Sequence, residues 1–115
     1  MKPEMLPASV ATAFVTALGA RDYAAAYALT SESYHQEHSL DAIRDAFELV
    51  VPPDWGPVGP IMVAETLADW PGKQEGDVAW VFVSVGGDMY SEAVTVVITR
   101  EGSGLKVRSA EFGRP

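Results

Sequence analysis

Three glutamates in the second half of the chain, Glu65, Glu92 and Glu111, stand in segments otherwise rich in aromatic and β-branched residues. A carboxylate placed among apolar side chains loses its hydration, and a second carboxylate beside it adds repulsion. Both effects raise a carboxyl pKa, which is what a general acid or base at neutral pH requires. Glu92 or Glu65 is therefore the candidate base, and Tyr90, two residues before Glu92, the candidate hydrogen-bond donor. The same carboxylates against Trp80 and Phe82 equally suit a cationic or amine-bearing ligand. At a wet sheet rim they would serve solubility alone. The candidate ligand-binding set is Trp80, Phe82, Glu65, Glu92, Glu111 and Tyr90.

Other chemistry is sparse. His35 and His38 are the only histidines, three apart in "HQEH". That spacing can place two ligands on one helical face, but no third ligand stands at a telling distance, so a solvated turn and no metal site are expected. Cysteine is absent, which excludes disulfides, zinc thiolates and thiol nucleophiles. "VSVGGDMY" reads as a hairpin turn and not as a strand-to-helix phosphate cradle, so no cofactor is expected. Trp55 and Trp70 sit in or beside proline–glycine loops, where an aromatic either gates a pocket or plugs a core.

The elements that position these residues follow from pattern. At 115 residues the chain is expected to be a single domain spanning 1–115. Val10, Phe14 and Leu18 recur four apart in a first helix for which Ser9 is a candidate cap. Asp22 is placed to cap a second, with Tyr23, Ala26 and Tyr27 on one face. "TSESYHQEH" reads as a turn or a short extended piece. Leu40, Ile43, Phe47 and Val50 form the stripe of a further helix capped by Ser39. "PPDWGPVGP" then ends the helical half. Four strands follow, near 60–70, 77–86, 89–100 and 105–112, separated by glycine-bearing turns that imply an antiparallel meander. The fold class is α+β: N-terminal helices packed on a curved four-stranded antiparallel sheet.

Turn lengths suggest pairings. Leu67 is set opposite Trp80 and Glu65 opposite Phe82. With Met89 following the "GGD" turn directly, Ser84 meets Tyr90, Phe82 meets Glu92 and Trp80 meets Val94. Across the last turn Arg100 meets Leu105, Ile98 meets Val107, Val96 meets Ser109 and Val94 meets Glu111. One face then gathers Trp80, Phe82 and the three glutamates. The other gathers Val81, Val83, Val85, Ala93, Thr95 and Val97. The helices are expected to cover the first face, and a second subunit the valine face, giving a homodimer through the sheet.

Charge narrows the partners. Acids outnumber bases sixteen to eight, for a formal charge of −8. Nucleic acid and anionic membrane surfaces are excluded as partners, because both need clustered Lys and Arg. A basic protein partner fits better. The opening residues lack the apolar run of a signal peptide, and no stretch has the length of a membrane span, so a cytoplasmic protein is expected.

Two stretches carry a family resemblance. "AFVTALGARDYAAAYALTSESY" is similar to the opening helix pair of the nuclear transport factor 2-like, or cystatin-like, superfamily, and "GLKVRSAEFGRP" resembles its last strand. The resemblance implies a curved sheet wrapped on helices, a cavity at the open end of the cone, and dimerisation through the sheet. It does not imply one activity, since members include isomerases, dehydratases, cyclases, toxin-neutralising proteins and scaffolds. The expected function is a non-catalytic binding module, a dimeric cone taking a small apolar ligand or a protein partner, with neutralisation of a basic protein as one form. The alternative is an isomerase-, dehydratase- or cyclase-type enzyme transferring a proton on a hydrophobic small molecule.

Overall fold

Pro7 opens the first helix, because its ring presets the backbone angle and its missing N–H would have had no partner there. In the computed structural model of the chain, which describes residues 6–56, 58–87 and 90–113, α1 runs Pro7–Gly19 with Leu6 and not Ser9 at its N-cap. Val10, Phe14 and Leu18 are buried along it. Beyond its end the left-handed backbone position falls on Arg21, at φ 62°. The Arg21 guanidinium donates to the carbonyls of Val51 (2.9 Å) and Pro52 (3.4 Å) and lies over the Phe47 ring, which ties the end of α1 to the end of α4 (Leu40–Val50).

The caps follow side-chain chemistry. Asp22 accepts from the Ala25 N–H at the start of α2 (Tyr23–Ala28), and Ser39 from the Ala42 N–H at the start of α4. The stretch expected as a turn instead holds a short helix, α3 (Glu32–Glu37). Ser31 accepts from the Tyr34 N–H, and the buried Tyr34 side chain anchors the turn to the core. One cap and one anchor stabilise six residues that charge and polarity alone would leave extended. The connector before α3 also touches the sheet: Ser31 N–H donates to the Val107 carbonyl and Val107 N–H to the Leu29 carbonyl, each at 2.8 Å.

After a 3₁₀ turn at Pro53–Trp55 come β1 (Ile61–Leu67), β2 (Asp77–Gly86), β3 (Ser91–Glu101) and β4 (Gly104–Phe112), in the sheet order β1-β2-β3-β4, all antiparallel. The α+β class, helices on a curved antiparallel sheet, is the expected one. So are two stretches of register: Glu65 opposite Phe82 with Leu67 opposite Trp80, and Arg100 opposite Leu105 with Ile98 opposite Val107.

The central pairing is different, and it reverses β2. Phe82 faces Thr95 and not Glu92, Trp80 faces Val97 and not Val94, and Ser84 faces Ala93 and not Tyr90. The strands end at Gly86 and resume at Ser91, and Gly87 N–H donates to the Tyr90 carbonyl, so the hairpin closes between Gly87 and Tyr90 and is not centred on Gly87. Asp88 and Met89, on which that expectation turned, lie outside the described residues. The three-residue shift is odd, and an odd shift sends every side chain to the other face.

Val81, Val83 and Val85 consequently lie beneath the chain's own helices. Each is fully buried, in one cluster with Val94, Val96, Ile98 and Val107 from the sheet and Val10, Phe14, Leu18, Ile43 and Phe47 from the helices. Short branched side chains let α1 approach the sheet closely, where an indole would hold it away. The valine face therefore needs no second subunit, and Trp80 and Phe82 point to the opposite side. Among the described residues no helix is long and apolar enough to cross a membrane.

Candidate functional site: the outer face of the sheet

Antiparallel partners share a face, so the register lays the uncovered side out in rows. One row runs Glu65, Phe82, Thr95, Glu111 across all four strands. The next runs Leu67, Trp80, Val97, Ser109. Met62, Ser84 and Ala93 lie on one side of this pair of rows, and Asp77, Thr99 and Lys106 on the other. Trp80 and Phe82 form an aromatic platform, with ring centroids 6.3 Å apart and planes at 24°. Both are half-buried, and Met62 is 63% exposed.

Bulges decide which residues reach this face. The irregularity between Val63 and Glu65 leaves Ile61 and Val63 inward but turns Glu65 and Leu67 outward. A second, at Arg108, leaves Val107 inward and turns Ser109 and Glu111 outward, so that Thr95, and not Val94, faces Glu111. An extra residue in one strand shifts the alternation by one, and that is what moves both glutamates. The expected trio is thus divided. Glu65 and Glu111 flank the aromatic row on the outside. Glu92, opposite the buried Val85, is on the helix side at the end of the sheet.

The platform has one charged border that is fully satisfied. Arg108 donates from Nε to Asp77 Oδ1 and from a terminal nitrogen to Oδ2, both at 2.7 Å, bridging β2 and β4 over Thr99. Asp77 Oδ2 also accepts from the Gln74 N–H at 2.8 Å. Burial alone would raise the Asp77 carboxyl. The Arg108 fork, the Gln74 N–H and the Thr99 hydroxyl outweigh it and hold the carboxyl below the usual carboxylate range. Lys106 is turned to the Ala28 carbonyl, 3.1 Å from Nζ. Among the described residues the side chains of Glu65 and Glu111 make no ion pair and no hydrogen bond.

Tyr90 and Glu92 belong elsewhere, at the end of the sheet beside the 3₁₀ turn. The Tyr90 ring lies 5.3 Å from that of Trp55 and over Gly87, where any β-carbon would collide with it. The Tyr90 hydroxyl is buried without a hydrogen-bond partner among the described residues. The histidines pack on tyrosines. His35 stacks on Tyr27 at 4.0 Å with its Nε2 2.9 Å from the Tyr27 carbonyl, and His38 lies against Tyr34. Among the described residues no cluster of three or more His, Cys, Asp or Glu gathers to hold a metal. An open depression of about 610 Å³ lies along α1, lined by small side chains including Ser9, Ala13 and Ala17, and contains none of the candidate residues.

Thr95, Val97 and Leu67 complete the platform, whereas the expected register set Thr95 and Val97 on the other face of the sheet from Trp80. The missed signal is in β4. Its apolar residues fall on odd positions at Leu105 and Val107 and on even positions at Ala110 and Phe112. That change of phase is the mark of a bulge. Comparison of the chain with protein-family models, with curated proteins and with solved structures finds no match.

Proposed function

We propose that the chain is a non-catalytic binding module that docks a protein partner on the outer face of its sheet. The observation that supports this is the platform itself: Leu67, Trp80, Phe82 and Met62 form partly exposed apolar surface on the side of the sheet opposite the helices. The opposite side is filled by Phe14, Phe47, Leu18 and Ile43, which favours a surface role over an internal ligand site. With the valine face sealed by the helices, the Trp80 face is also where a second copy of the chain would have to seat, in competition with another protein partner. The resemblance to nuclear transport factor 2-like proteins supports a binding role in the same way and names no activity.

Selection of peptides from a random library against the immobilised chain tests the reading. Selected peptides are expected to lose binding to a Phe82→Glu variant and keep it for Trp55→Ala. Undiminished binding to a folded Phe82→Glu variant would remove the outer face from consideration.

A second reading rests on the buried Tyr90 hydroxyl, which has no hydrogen-bond partner among the described residues. A buried donor without a partner is costly and rare, and a ligand atom is one way to satisfy it. Tyr90 as donor and Glu92 as base would then act on a hydrophobic small molecule at the end of the sheet. No metal or cofactor enters either reading.

A further inference from the structure

We infer that the partner seated on the outer face is a basic segment with an apolar centre, two cations spaced to meet Glu65 and Glu111. The inference rests on the outer-face reading above and specifies its occupant. Three facts about charge on this face lead to it. Its cations are already engaged: Arg108 by both oxygens of Asp77, Lys106 by the Ala28 carbonyl. Its two carboxylates in the aromatic row are exposed and, among the described residues, have no partner. And they stand at the two ends of one row, on the two edge strands, with Phe82 and Thr95 between them and Trp80 in the adjoining row.

This arrangement discriminates between occupants. A second copy of the chain would bring the same two uncompensated carboxylates, and a further charge of −8, to a face that already carries them. Like charges brought together at an interface are costly, and steering between two such surfaces is repulsive. An acidic or neutral segment gains only the platform. A basic segment gains both parts: its aliphatic centre covers Phe82, its cations reach Glu65 and Glu111, and a guanidinium or ammonium near Trp80 meets the negative face of the indole.

Spacing makes the requirement specific. Three inter-strand steps of roughly 4.8 Å separate the ends of the row, a span of about 14 Å. An extended segment covers about 13 Å in four residues, with residues i, i+2 and i+4 on one side. The pattern is therefore cation, any residue, apolar, any residue, cation.

The experiment uses the full chain and two synthetic peptides, glycine-flanked and blocked at both ends. One carries Arg-Thr-Leu-Thr-Arg and the other Glu-Thr-Leu-Thr-Glu. Binding is followed by calorimetry at two salt concentrations, and sedimentation velocity reports self-association. The basic peptide is expected to bind and the acidic one not. Affinity should fall about tenfold in the double variant Glu65→Gln/Glu111→Gln, and added salt should weaken binding more in the unmodified chain than in the double variant. Equal binding of both peptides, or no effect of the double variant, overturns the inference. So does a dimer that Phe82→Glu dissociates, which leaves the outer face as the docking surface but makes a second copy its occupant. Loss of neither binding nor association in Phe82→Glu contradicts the outer-face reading itself.

Discussion

Replacing Val83 by aspartate is expected to unfold the chain, whereas the same replacement at the next residue, Phe82, leaves it folded. Val83 has no exposed surface and lies opposite Val63 on β1 and Val94 on β3, beneath the helices. A carboxylate there loses its water and finds no cation. The loss of valine burial alone costs about 1.5–3 kcal/mol, and the unpaired charge adds several kcal/mol more, whether it stays ionised or takes up a proton. Total stabilities of small domains are about 5–15 kcal/mol, so the variant should be largely unfolded at room temperature. Phe82 is half-buried on the solvent side, and an aspartate there keeps its hydration. The cost is the ring's partial burial and a weak repulsion from Glu65 opposite, about 1–2 kcal/mol together. Circular dichroism with urea titration separates the two outcomes. The reverse order would mean that the register linking β2 to β3 is the one expected from a tight turn, with the aromatic residues inside.

The second large effect is at the border of the platform. Arg108→Ala is expected to destabilise the chain by about 3 kcal/mol at neutral pH, because it strands a buried carboxylate. The Asp77 side chain has no exposed surface, while that of Arg108 is 22% exposed. Removing both partners, as Asp77→Ala/Arg108→Ala, should cost less than removing the arginine alone. The effect depends on pH in a definite direction. Asp77 titrates below its ordinary range in the folded chain, so its contribution is complete above the unfolded carboxylate's pKa and is lost as pH falls through the lowered folded value. The stabilities of the unmodified chain and of Arg108→Ala should therefore converge as acid is added below about pH 4. A constant gap between them down to pH 3 would mean that the ion pair is not what Arg108 contributes.

Much of the scaffold is legible from residue patterns. The stripes of α1 and α4, the caps at Asp22 and Ser39, and the four strands all follow from local rules that tertiary packing here supports. The outer hairpins are legible because "EGSG" and "PGKQEG" close them with the expected spacing. What local rules do not contain is where the β2–β3 turn is centred, and the faces of β2 depend on it. A strand that is apolar on both sides carries no alternation to say which side is inward, so "AWVFVSV" accepts either orientation. Packing makes the choice: valines fit beneath α1, and Trp80 does not. The fate of the glutamates has a different cause. Glu65 and Glu111 move outward because bulges precede them, and only the one at Arg108 leaves a trace in the order of residues. The short helix α3 was obscured by its polarity, since its stability comes from the buried Tyr34 and the Ser31 cap and not from an apolar stripe.

A sheet with one face sealed by its own helices and the other carrying aromatic residues between two carboxylates unpaired among the described residues is suited to recognition at a surface. Under the proposed reading the arrangement separates folding from binding: substitutions at Val81, Val83 or Val85 are expected to act on stability, and substitutions at Trp80, Phe82, Glu65 or Glu111 chiefly on partner affinity. The most direct test is residue-resolved mapping by NMR of the isotope-labelled chain titrated with the Arg-Thr-Leu-Thr-Arg peptide. Shifts are predicted at the Trp80 indole and at the Phe82, Thr95, Val97 and Glu111 amides. Shifts confined to Trp55, Tyr90 and Glu92 would contradict this and move the site to the end of the sheet.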